Sequence, residues 1–261
     1  MARRPDRRDS VTAFAEIIGI PWPAAVLCVA VVMFGAAVQA TIGLGMALVA
    51  APVLGLVDPA FLPVTTIVLV WPLSVGVVRR ERHAVEWRDV GTALIGRVPG
   101  VVLGAWVVAV TGPIAIKLVV ALSVLLAVVA STTGLTVRTT RRNLLLAGVA
   151  SGFTGTTAGV GGPPMAIAYQ HVHPATTRAS LGVFFGLGSV LSFVGLALAG
   201  EVHVRQWQLV ALLLPGVLLG LGLSRPLISR LPEDRVRIAL LGTCAVSATA
   251  LLVESLVGAL G

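Results

Sequence analysis

The sequence predicts an all-α fold: a polytopic membrane protein with about eight transmembrane helices in two homologous repeats, each with a glycine-rich broken or re-entrant helix. Three observations predict it. Of 261 residues, 57% are hydrophobic and 11% charged, with a mean hydropathy of +0.99, where a soluble domain carries about 25% charge. The apolar residues fall into eight runs, at about 22–57, 61–78, 90–110, 114–137, 143–172, 179–199, 207–224 and 236–257. Four short motifs of the first half return, in the same order, in the second.

Taken in order, residues 1–21 read as a cytoplasmic tail, arginine-rich over its first ten positions. Arg3, Arg4, Arg7 and Arg8 followed by an apolar run imitate a secretory signal ending at Ala40. That reading fails because the residues after Ala40 belong to the repeated motif. A span needs about 20 residues, so six runs suit one helix each. The runs 22–57 and 143–172 are too long for one crossing and short for two, and each holds a glycine-rich break. Helix, break, half-helix describes both. The first repeat is 22–137, a basic linker follows at 138–142, and the second repeat is 143–261.

The repetition is specific. Thr41-Ile-Gly-Leu-Gly45 returns as Thr157-Ala-Gly-Val-Gly161, and Pro59-Ala60 as Pro174-Ala175. His83 and Trp87 return as His203 and Trp207, and Pro99-Gly-Val-Val-Leu-Gly104 as Pro215-Gly-Val-Leu-Leu-Gly220, at offsets between 115 and 120. Repeats with broken helices at corresponding positions mark the binding site of secondary transporters.

Nineteen basic against eleven acidic residues give a net charge of +8. The basic residues gather in Arg3–Arg8, Arg79–Arg88, Arg138–Arg142 and Arg225–Arg237, between apolar runs, as cytoplasmic loops of membrane proteins do. Nucleic acid is excluded as a partner on that ground; the lipid bilayer is the expected one, with self-association into a homo-oligomer left open. One net crossing for 22–57 places the loops at Arg79–Arg88 and Arg138–Arg142 inside but Arg225, Arg230, Arg235 and Arg237 outside, against the charge rule. Parallel and inverted repeats therefore both stay open. Cys28 and Cys244 lie within apolar runs, so neither a disulfide framework nor a metal site follows. No cofactor is expected.

The stretch Thr154–Gln170 carries the chemistry. Gly161-Gly162 leads into Pro163-Pro164 and an apolar helix start, which would aim free amides and a positive dipole end at an anion. Helix-breaking backbone at membrane depth survives only beside protein or a wet cavity. Gly43, Gly45, Gly159, Gly161, Gly162 and Pro163 are therefore expected near substrate, with Thr41, Thr156 and Thr157 as hydroxyl donors and Gln39 and Gln170 as amides. For the threonines the alternative is a bond to their own helix at i−4. The pairs Gly148/Gly152, Gly155/Gly159, Gly182/Gly186, Gly100/Gly104 and Gly216/Gly220 fit close helix packing. Arg97 lies mid-span, where a charge costs about 2.5–3.5 kcal/mol; an anionic substrate would be its counter-charge. Lys117 and Glu254, near span ends, are expected to snorkel, and Arg178 to be a membrane-boundary arginine.

Metalloprotease, serine-hydrolase and phosphate-loop motifs are missing, so no enzyme is expected. The breaks, the Gly-Thr-Thr-Ala-Gly-Val-Gly-Gly-Pro-Pro run at 155–164, Arg178 after it and the Pro-Gly-x-x-Leu-Gly repeats resemble the TauE/SafE sulfite exporter family, also called the toluene-sulfonate uptake permeases. The resemblance covers about 22–257 and implies an inner-membrane, multi-pass permease for sulfite, thiosulfate, organosulfonates or related organic acids. The alternatives are an anion channel and a non-transporting membrane subunit of a larger complex.

Overall fold

The computed structural model describes residues 19–133, 137–228 and 233–260; the first ten residues and Arg230 lie outside these. Among the described residues ten α-helices follow one another: α1 Trp22–Ile42, α2 Met46–Val57, α3 Val64–Glu81, α4 Trp87–Val110, α5 Pro113–Thr132, α6 Arg141–Ala158, α7 Gly162–Tyr169, α8 Pro174–Leu198, α9 Val204–Ile228 and α10 Glu233–Leu260. No strand occurs among the described residues. Proline in the first turn starts α1, α5, α7 and α8, where its missing N–H costs nothing. Thr140 caps α6 by accepting from Asn143 N, so the basic linker ends as the first turn of a helix.

Among the described residues six helices contain a segment long and apolar enough to cross a membrane: α1, α4, α5, α8, Val204–Ser224 of α9 and Leu240–Ala259 of α10. That is fewer than the eight apolar runs. The 18-residue α3 ends in Arg79, Arg80 and Glu81, and the 18-residue α6 opens on Arg141 and Arg142, so neither offers a full apolar span. Met46–Val57 is apolar but has only 12 residues, about 18 Å against a hydrocarbon core of about 30 Å.

The packing is reciprocal. Helix α4 lies along α6, and α1 along α9. Both contacts are made by glycines, which let backbones approach. A Cβ on Gly148 would overlap the Ala93 carbonyl, one on Gly100 the Val149 carbonyl, and one on Gly220 the Met33 carbonyl. The remaining principal pairs are α3 with α8 and α5 with α10. Lys117 and Glu254 bind each other across α5 and α10 at 2.8 Å instead of snorkelling separately.

Contacts fix which helix ends lie together. At one end Gly19 lies against the Arg205 guanidinium, which also pairs with Asp58, and Ile20, Phe61 and Leu209 share a buried cluster. The start of α1, the end of α2 and the start of α9 are thus neighbours. At the opposite end Thr139 Oγ1 donates to Ala168 O at 2.8 Å, joining the chain before α6 to the end of α7. There Arg178 of α8 binds Glu81 of α3 at 2.8 Å, and Arg80 donates to Ser224 Oγ and Leu221 O of α9. Trp87 and Trp207, both exposed, begin α4 and α9 at opposite ends of the bundle, as interfacial aromatics do.

Candidate functional site

Both breaks fall where the glycines are. Gly43 ends α1 at φ +97° and Gly45 precedes α2 at φ +138°; Gly159 ends α6 at φ +72°. These left-handed conformations suit glycine and disfavour any L side chain. After each break the chain starts beside an earlier turn of the helix it has just left. Met46 O lies 2.9 Å from where a Gly35 Cβ would stand, and a Cβ on Gly161 would stand equally close to Ser151.

Side chains secure both turns, differently. Gln39 Oε1 accepts from Met46 N at 3.0 Å, capping the first amide of α2. In the second break Ser151 Oγ donates to Gly161 O at 2.6 Å. A cavity of about 30 Å³ opens between the breaks, lined by Gln39, Leu44 and Gly45 from one and Gly159, Gly161 and Gly162 from the other. Ala47, Leu48, Val160, Val70 of α3 and Phe185 of α8 complete it. That volume exceeds the roughly 10–15 Å³ that one water requires. The first amides of a helix lack intrahelical partners and carry its positive dipole end. Two helix starts of this kind, α2 and α7, meet at one cavity with no acidic residue in its lining.

The twelve residues expected at a site divide. Gln39, Gly45, Gly159, Gly161 and Gly162 line the cavity. Gly43 lies instead against Arg178, where α8 passes the first break. Thr41 and Thr157 donate to Ala37 O and Phe153 O of their own helices, four residues back, so their hydroxyls are spent locally. Thr156 Oγ1 is 2.8 Å from Ser192 Oγ in a buried pair. Pro163 serves the first turn of α7 without lining the cavity. Gln170, just past α7, is exposed. Arg97 is buried at 3% exposure but does not line the cavity. It donates from Nη1 to Ser151 Oγ at 3.1 Å and from Nη2 to Ser192 Oγ at 3.4 Å, and its guanidinium lies 4.9 Å from the Phe184 ring centre. No acid pairs with it among the described residues. Arg178, expected as a boundary arginine, is the partner of Glu81 beside the first break.

Val70 and Phe185 were not singled out in the sequence; they lie 115 residues apart, the offset of Pro59 to Pro174. Leu44 and Val160 lie 116 residues apart, the offset of Thr41 to Thr157. Carrying the repeat register past the glycines would have found both pairs.

No curated protein and no solved structure matches the chain. The family model of the sulfite exporter TauE/SafE matches residues 27–251, from within α1 to within α10, and so takes in both breaks and every residue of the cavity. With six apolar helices long enough to cross a bilayer, this multi-pass membrane protein belongs to the TauE/SafE sulfite exporter family of transporters.

Proposed function

We propose that the chain is a secondary transporter of small sulfur oxyanions, organosulfonates or related organic acids, which it binds between the two breaks. The observation that carries this is the cavity between the starts of α2 and α7. Backbone amides, the positive ends of two half-helices and the Gln39 amide surround an anion there, and apolar Leu44, Leu48, Val70, Val160 and Phe185 exclude water around it.

The architecture fits this reading as two inverted repeats, 22–137 and 143–261, joined at 138–142. Neighbouring ends of α1 and α2, and of α6 and α7, support re-entrant hairpins that return to the side they left. Three further helices after each hairpin, α3–α5 and α8–α10, then invert the second repeat, with the charged end of α3 at the membrane surface. Arg79, Arg80, Arg82, Arg88, Arg138, Arg141, Arg142 and Arg178 all fall at one end, and α9 runs to that end too. Inversion thus removes the conflict with the charge rule that one net crossing for 22–57 creates. That end is cytoplasmic, in the inner plasma membrane. Alternating access follows from rocking one repeat against the other around the cavity. An inside-negative potential of about 100 mV favours export of one negative charge by about 2.3 kcal/mol, so uniport runs outward.

The test is flux of radiolabelled sulfite, thiosulfate, methanesulfonate and acetate in proteoliposomes under imposed voltage or pH gradients. Saturable flux of at least one sulfur anion, faster with voltage driving the anion out, is expected. No saturable flux of any anion would refute the proposal.

A further inference from the structure

We infer that Arg97 fixes the preference of the cavity for doubly over singly charged anions from behind, as a positioning residue that acts through Ser151 on the Gly161–Gly162 peptide. The inference rests on the reading of the cavity as the anion site.

The chain of bonds is continuous. Arg97 Nη1 donates to Ser151 Oγ, whose own hydrogen goes to Gly161 O. That carbonyl belongs to the same peptide unit as the Gly162 N–H, the first amide of α7, and both glycines line the cavity. Donors in series polarise one another. A cation pulling on the Gly161 carbonyl therefore strengthens the Gly162 N–H as a donor, while holding the peptide in the orientation that presents it.

Position strengthens the case. At the 116-residue offset of the breaks, Gly155 is the counterpart of Gln39, and Ser151 the counterpart of Gly35. Gln39 reaches the first break with its own side chain; Gly155 has none. Arg97 Nη2 fills that place, 2.9 Å from where a Gly155 Cβ would stand. In the first repeat the side chain uses up an amide by accepting from it. In the second it uses up a carbonyl by donating to it. The α7 start keeps its amides and gains a nearby cation with no acid among the described residues to cancel it. Gly188 provides the room, since a Cβ there would overlap Arg97 Nε. Nε has no hydrogen-bond partner, and the guanidinium lies over Phe184. Holding an unpaired arginine against a ring and a glycine is costly unless its charge is used.

A fixed charge acts on substrate in proportion to substrate charge. At an effective dielectric constant of about 20, loss of one cation behind the cavity weakens binding roughly tenfold per unit of anion charge. The experiment compares KM for thiosulfate, a dianion, and methanesulfonate, a monoanion, in proteoliposomes. Arg97→Gln should raise the first about a hundredfold and the second about tenfold, shifting their ratio about tenfold. Arg97→Lys keeps the charge and should hold the ratio within about threefold of wild type. Ser151→Ala cuts the relay and should raise both KM values about fivefold, the effect of one lost hydrogen bond. An unchanged ratio in folded Arg97→Gln would overturn the inference. Should that variant not accumulate, an unchanged KM in Ser151→Ala, or a collapsed ratio in Arg97→Lys, would do so. Absence of wild-type flux for both anions would strike the transport reading itself, which the altered ratio does not test.

Discussion

Gly159 leaves α6 at φ +72° with its α-carbon against the Thr66 hydroxyl, so any side chain there meets both backbone strain and a clash. Gly159→Ala is expected to lose at least 1–2 kcal/mol through the left-handed backbone alone, seen as a lower melting temperature in detergent. Gly222→Ala, with open space around it, should melt like wild type. Gln39→Leu removes the acceptor for Met46 N and should cost about 1–3 kcal/mol, with anion affinity falling about tenfold or more in the same flux assay. At this scale the sequence was legible where backbone chemistry was the signal. Gly45 and Gly159 stand out because their left-handed backbone suits few other residues, and Gly161 because a Cβ there would press on Ser151. It was not legible where a side chain's direction decided. Thr41 and Thr157 bond their own helices, Gln170 faces outward, and Arg97 points behind α6 rather than into the cavity.

The helices and their interruptions are read more readily than the way the chain continues after them. Both expected breaks are present, because glycine and proline act locally. That α2 starts beside Gly35, and α7 beside Ser151, depends on contacts that no local pattern encodes. The count of spans shows the same limit: α3 and α6, 18 residues each, take in charged ends that lie outside the apolar runs at 61–78 and 143–172, a helix boundary the runs do not give. Between elements, the Arg178–Glu81 pair joins α8 to α3 beside the first break, half-buried on both sides. Arg178→Glu should destabilise the protein, and adding Glu81→Arg should restore most of the loss, read as recovery of the melting temperature. No recovery in the double variant would make the pair incidental. Glycine contacts between α4 and α6 should be less forgiving: Gly148→Leu, pressed on the Ala93 carbonyl, is expected to abolish folded protein on size-exclusion chromatography.

For the molecule as a whole, motif order in the sequence predicts two repeats but not their relative orientation. Counting one net crossing for 22–57 sets one basic loop against the charge rule, and the inverted arrangement proposed above, with no net crossing there, does not. Sidedness is open to labelling. With buried Cys28 and Cys244 replaced by serine, cysteines at exposed His83 and Thr140 should react with an impermeant maleimide only from the cytoplasmic side. Cysteines at exposed Gly112 and Gly200 should react only from the outside. The central claim, that anions cross through the space between the two breaks, is tested most directly by thiosulfate flux through Val70→Trp. This change fills the cavity from α3, and Leu223→Trp on an exposed face of α9 serves as control. Saturable flux in wild type and control, abolished in Val70→Trp protein that still elutes as a folded species, is the expected result. Wild-type flux through Val70→Trp would contradict the account.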